Sequence, residues 1–302
     1  MPVDTGSPST GFIIWGAALV FFMTPLGTHA FPHTAPQIPT VAFMVYHMQF
    51  AGIAAALVFS SVPERTRIVP GLIFVFFWTA LVYDFIAYWT WADHGFLRNF
   101  SCLGEPDFLE NPCFIGVYDF AGRGPIHVAA GFSGLAYVLV LGKRKVIHAE
   151  HHNLVNMMFG TGVLWFGNPA TITLIKLPAA GVVTTISAAA GGLTWVWFDF
   201  IFTRKLSSFS FCSGVIAGLL GITPASGFVA PWAAIVIGAL VSLGCYTSSR
   251  LKKRWGIDDS FDAGSLHGVG GFLGMVLTGV FAQKWITDLD GTPSRGGMIE
   301  GN

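Results

Sequence analysis

The stretch Asp119–Gly134, DFAGRGPIHVAAGFSG, has a counterpart 140 residues later at Asp259–Gly274, DSFDAGSLHGVGGFLG. In each copy an aspartate stands eight residues before a histidine, Asp119 before His127 and Asp259 before His267, and Gly-Phe-x-Gly begins four residues after the histidine. Both copies then open into a long apolar run, so each imidazole is expected about one turn inside a helix that water reaches poorly. A histidine placed twice at matching depth points to a paired site, whereas a lone histidine on such a helix would read as a satisfied core residue.

Working outward, the chain around this pair is strongly apolar. Of its 302 residues, 53% are hydrophobic and only 11% charged, with 37 glycines and a mean hydropathy of +0.63. A soluble domain carries about 25% charged residues, so the composition excludes an ordinary soluble fold. It implies an all-α polytopic membrane protein, because a backbone in lipid must satisfy its own hydrogen bonds. The net charge is zero, and no basic surface for nucleic acid is apparent.

Apolar periods predict eight spans at roughly 41–61, 68–91, 124–142, 154–172, 177–202, 209–223, 229–248 and 264–283. The division is a polar N-terminus with a short apolar segment and a Pro/His-rich linker over 1–40, a transmembrane domain over 41–283, and a polar tail over 284–302. The first apolar segment, Gly11–Pro25, has 15 residues, short of the ~20 that a crossing helix needs. Arg65 and Arg67, then Lys143 to Lys145, Arg204 and Lys205, and Arg250 to Arg254 make every second loop basic. The positive-inside rule puts those four loops on the cytoplasmic side. The opposite loop 92–116 holds Cys102, Cys113 and the sequon Asn99-Phe100-Ser101, leaving a disulfide and glycosylation open; Cys212 and Cys245 read as core.

On this orientation the span opened by His127 enters from outside and the one opened by His267 enters from the cytoplasm. Equal motifs on oppositely directed helices are the product of an inverted repeat, which places a substrate site near the midplane. Asp119, Asp259 and Asp262 stand where helix starts need caps.

The motifs MQFAGIAAAL, the Glu64–Arg67 loop, DFAGRGPIH, HHNL, ITPASGFV and DDSFDAGSLHGVGG together resemble the ammonium transporter superfamily, which includes the methylammonium permeases and Rh proteins, and are most similar to its eukaryotic ammonium permeases. The resemblance covers most of Thr40–Gly291. It implies an eleven-helix fold with the first ten in two inverted halves, a trimer, and one narrow pore per protomer in the plasma membrane. By the same resemblance His127 and His267 are the pore histidine pair, and Trp91 in AYWTW recruits the cation by cation–π contact. Phe50 in YHMQF would be one of two stacked gate phenylalanines, Asp119 the aspartate beneath the recruitment site, and Thr171 in NPAT a hydrogen-bond partner of bound ammonium.

The implied function is transport of ammonium, ammonia or methylammonium for nitrogen uptake, with the cation deprotonated at the outer aromatic site. A bare ammonium ion in an apolar pore is costly, and neutral imidazoles can both donate and accept. Departures from the family pattern are also legible. Leu26–Pro39 stands where a Gly-rich segment and a second helix belong, Gly167 runs directly to Asn168 without the second gate phenylalanine, and no eleventh apolar run follows 283. They imply a truncated member, and hence an alternative: a non-transporting assembly partner or dominant-negative subunit, in a homotrimer or a hetero-oligomer with intact relatives. Neither an enzyme nor a cofactor is expected. His127 and His267 have no third ligand or carboxylate base at usual spacing, and His148, His151 and His152 match a plain loop of the family rather than a metal cluster.

Overall fold

The computed structural model describes residues 40–63, 65–92, 94–100, 116–144, 154–167, 176–290 and 296–301. Gly11–Pro25, Cys102, Cys113, the HAEHH stretch and Thr171 lie outside the described residues, as do 168–175 at the end of the fourth expected span.

Among the described residues are eight long helices and no strand: α1 Thr40–Ser60, α2 Ile68–Trp91, α3 Arg123–Leu141, α4 Leu154–Gly167, α5 Leu177–Thr203, α6 Ser208–Ile222, α7 Pro231–Arg254 and α8 Gly264–Phe281. They fall on the eight expected spans. Five of them, α2, α3, α5, α7 and α8, are long and apolar enough to cross a membrane. Prolines open α5 and α7, where the missing N–H costs nothing. Arg204 (φ 57) in the left-handed region stops α5, and Gly142 (φ 73) stops α3. α7 continues six residues beyond the expected end at 248. Its last turn carries Lys252, Lys253 and Arg254, whose charges suit the negative end of the helix dipole.

Two packed groups make the core. In one, α5, α6 and α7 meet through small residues, with Ser187 Oγ donating to the Gly218 carbonyl at 2.9 Å and Ser242 Oγ to that of Gly191 at 2.8 Å. Ala217, Leu220, Ala233, Ile237 and Val241 fill the space between. Small faces of this kind let helix backbones approach in lipid, where no hydrophobic force acts between helices. In the other, α1, α2 and α3 enclose Ala51, Ala54, Val58, Trp78 and Ala130, and Trp78 Nε1 donates to Ser133 Oγ at 2.8 Å. α8 joins them: Leu273 and Leu277 pack on the first group while Gly264, Gly268 and Gly271 lie against α3.

The loops sort to two ends, as the alternating charges require. At one end Arg65 reaches the carbonyls of Gly142 (2.6 Å) and Asp258 (2.7 Å), Arg144 forks onto the Asp258 carboxylate, and Ser260 N–H donates to the Ser61 carbonyl. At the other, Phe120 N–H meets the Pro224 carbonyl, Gln283 N–H that of Phe228, Tyr118 that of Gly296, and Lys176 Nζ that of Thr287. At this second end Asn99 of the sequon is buried, its amide donating to the Gly95 carbonyl at 3.0 Å, so it does not present a free amide. Cys212 and Cys245 are free and buried.

Candidate histidine-pair site

The site is built from two helix starts made in the same way. The Asp119 carboxylate accepts the N–H groups of Arg123 (2.6 Å) and Gly124 (2.7 Å), and Asp259 accepts those of Ala263 (3.1 Å) and Gly264 (2.9 Å). Each cap satisfies two of the donors that a helix start leaves orphaned. In both copies the turn that follows is π-helical, Arg123–Val128 and Gly264–Val269, and it ends at or just after the histidine.

Opposing packing brings the two histidines together. A Cβ on Gly131 would lie 2.1 Å from the Gly268 backbone nitrogen, and one on Gly271 would lie 2.7 Å from the Val128 side chain. Shifting the first contact by 140 in each helix gives the second, which is the mark of a pseudo-two-fold axis. With the helices this close, Nδ1 of His127 and Nδ1 of His267 stand 3.0 Å apart, the rings nearly parallel at 12° with centroids 5.2 Å apart.

That contact constrains the protons. One ring must donate through Nδ1–H and the other accept, so the donor's Nε2 is an acceptor and the acceptor's Nε2 carries a hydrogen. A neutral pair therefore offers one donor and one acceptor to a passing molecule. Both rings are half-buried rather than sealed.

At the end where α3 starts, Trp91 meets Phe50 edge-on at 6.2 Å and His47 at 5.5 Å between ring centroids. Its indole Nε1 donates to the Asp119 carbonyl at 3.4 Å, and Arg98 donates to its backbone carbonyl. Gly122 (φ +86) turns the chain directly beneath the indole; a Cβ there would lie 2.7 Å from Trp91 Cζ2, so only glycine fits. The structure thus brings Trp91, Phe50 and the Asp119 backbone together, with the histidine pair one turn along α3, while Thr171 lies outside the described residues.

Asp262 takes a different part from the one expected. The carboxylate caps at this helix start are those of Asp259; Asp262 accepts Leu266 N–H through its backbone carbonyl, and its carboxylate pairs with Lys252 at 2.6 Å. Lys252 also reaches Asp259 at 2.7 Å and ties the second helix start to α7. Three further residues belong to this region. His47 stands three before Phe50 on one face of α1, a spacing that could have revealed it. Arg123 and Lys252 are fully or nearly buried cations that sequence pattern assigns to solvent. Among the described residues no three His, Cys, Asp or Glu side chains converge to hold a metal ion.

Comparison with known proteins places the whole chain. A family model described as Ammonium Transporter Family matches residues 6–302. Ammonium transporter 1 of Schizosaccharomyces pombe is 40% identical over 276 residues, covering 88% of this chain and 52% of that protein. Ammonium transporter MEP2 of Saccharomyces cerevisiae is 36% identical over 285 residues, covering 89% and 54%. The crystal structure of Saccharomyces cerevisiae Mep2 aligns with a TM-score of 0.82 at 32% identity, covering 95% of this chain and 69% of that one. The chain spans about half the length of the curated relatives it matches. With a family model matched from residue 6 to residue 302, a shared helical membrane fold and relatives at 36–40% identity, the chain belongs to the Ammonium Transporter Family.

Proposed function

We propose that the chain conducts ammonium nitrogen across the plasma membrane along a path from the Trp91 cluster to the histidine pair, within a transmembrane domain of residues 41–283. The observation that carries this reading is the 3.0 Å Nδ1–Nδ1 contact between His127 and His267, at equivalent positions of the two copies. The electron-rich faces of Trp91 and Phe50 attract a cation, and beyond them the apolar path admits ammonia more cheaply than ammonium. The substrate gives its proton to water at the outer aromatic site and meets the donor–acceptor pair of Nε2 atoms as a neutral molecule. Outward-facing Leu81, Val140, Phe159 and Trp197 are exposed and suit lipid or neighbouring protomers of a homotrimer. Thr171 belongs to the recruitment site in this reading, as implied by the resemblance.

Uptake of radiolabelled methylammonium by cells lacking their own transporters tests it. The full chain should accumulate label above the empty-vector background, and His127→Ala and His267→Ala should each reduce uptake at least fivefold with unchanged membrane abundance. Correctly targeted chain that moves no methylammonium would refute the reading. A second reading, an assembly partner of intact relatives, is motivated by two internal departures from the family pattern, Leu26–Pro39 in place of a second helix and Gly167 running directly to Asn168. Under it the chain is silent alone and alters the uptake of a co-expressed intact relative; a chain that leaves the relative's uptake unchanged and is degraded supports neither reading.

A further inference from the structure

Arg123 is fully buried at 0% exposure, and Nε, Nη1 and Nη2 all lack a hydrogen-bond partner among the described residues. The nearby Asp119 directs its carboxylate oxygens to the backbone N–H groups of Arg123 and Gly124. The guanidinium lies along the glycine face of α8: a Cβ on Gly271 would be 3.4 Å from Nε, and one on Gly270 would be 3.6 Å from Nη2. Those glycines follow His267 by four and three residues, and His127 follows Arg123 by four. The charge is therefore within a helical turn of both imidazoles, and next in sequence to Gly122, which supports Trp91. In the second copy Ala263 holds the equivalent position, so the charge is present on one side only.

A guanidinium stays protonated inside proteins, and a buried charge whose nitrogens make no hydrogen bond is among the costlier features a fold can carry. None of its nitrogens is exposed, so solvent ions do not reach it, and the nearby Asp119 carboxylate offsets only part of its charge because the carboxylate oxygens are held by backbone N–H groups. Its field is weakly screened in such surroundings and opposes a cation entering from the Trp91 side, while a neutral molecule feels little of it.

We propose that Arg123 is a specificity-determining residue that makes this path reject ammonium and admit neutral ammonia, a fixed positive charge set between the aromatic cluster and the histidine pair. The proposal rests on the transport reading above and specifies the species that crosses.

The test uses the full chain, wild type beside Arg123→Gln, Arg123→Met and Arg123→Lys. In liposomes, luminal pH change reports ammonia flux and solid-supported membrane currents report charge movement after an ammonium jump. In detergent, calorimetric titration reports methylammonium binding. Wild type and Arg123→Lys should pass ammonia with no current above protein-free liposomes. Both charge-removing variants should gain current and bind methylammonium at least fivefold more tightly. A current in wild type, or less than a fivefold change in both uncharged variants, overturns the proposal. Should wild type pass neither species, the transport reading fails and the binding titration alone decides Arg123 by the same fivefold criterion. The Asp119 cap is made to backbone N–H groups that every variant keeps, and two uncharged replacements of different shape guard against a local packing effect.

Discussion

Asp258→Asn should loosen one end of the helix bundle. Asp258 accepts Arg144 N–H at 2.9 Å, Arg144 Nε at 2.8 Å and Nη2 at 2.7 Å, and stands 3.8 Å from Arg65 Nη1, with its side chain 5% exposed. The loops after α1, α3 and α7 converge on that one carboxylate. Breaking a buried pair leaves uncompensated charge and costs about 3–5 kcal/mol. The Arg144 and Arg65 side chains retain 20% and 14% exposure, so solvent recovers part of this and about 2 kcal/mol is the expected loss. At about 2–4 °C per kcal/mol for a chain of this size, the apparent melting temperature in detergent should fall by about 4–8 °C.

The pH dependence gives an independent check. Hydrogen bonding from Arg144 holds the Asp258 carboxyl below its ordinary value. A group depressed in the folded state contributes stability above its unfolded pKa, near ~3.9, and loses it as pH falls through the folded pKa. The gap between wild type and Asp258→Asn, followed by intrinsic fluorescence, should therefore be flat from about pH 5 to 8 and close below about pH 4. A gap under about 1 °C at pH 7, or one that persists unchanged into acid, would refute the idea that this carboxylate clamps the three loops.

Two further outcomes test the site itself. Gly131→Ala puts a Cβ 2.1 Å from backbone that cannot rotate away; the two helix starts must part, costing about 1–3 kcal/mol or more and abolishing methylammonium uptake. Gly160→Ala in α4 meets nothing within 4 Å and should be neutral or slightly stabilising through helix propensity, so equal effects of the two would sink the packing argument. Trp91→Leu removes the cation–π contact of the proposed path, worth about 1–2 kcal/mol, and should raise half-saturation for methylammonium about 5–30-fold in uptake assays, with maximal rate less affected.

The parts legible in the sequence are those set by solvation. Lipid demands long apolar helices, and all eight follow from apolar runs and loop charges; the tie between Arg65, Arg144 and Asp258 links loops that the charge alternation had assigned to one side. The histidine contact was legible because duplication makes a pair from two residues that would each be dismissed alone. His47 was not, since a single polar letter in YHMQF gains meaning only when α2 lays Trp91 beside it. Arg123 sits between glycines in a motif whose other members draw attention, and its burial depends on Gly270 and Gly271 of α8, far along the chain. Lys252 belongs to a basic run that reads as solvated, yet it is 5% exposed because Asp259 and Asp262 fold back onto it. Asp262 was expected as a cap because it precedes the helix, but its position at φ 56 sends the carboxylate to Lys252 instead.

The two π-helical turns mark where this chain tolerates a change of length. A π turn holds one residue more than an α turn at the same point in a helix, and here it occurs at the same place in both copies. Deleting a single residue inside either turn lets it revert to α geometry, and the helix beyond keeps its facing because the extra residue was accommodated within one turn. The same deletion in the regular helix after the turn has nothing to absorb it, and everything beyond it swings by about 100°. The glycines that seat α3 against α8 would then face other neighbours, so a one-residue change is harmless at the turn and ruinous just past it.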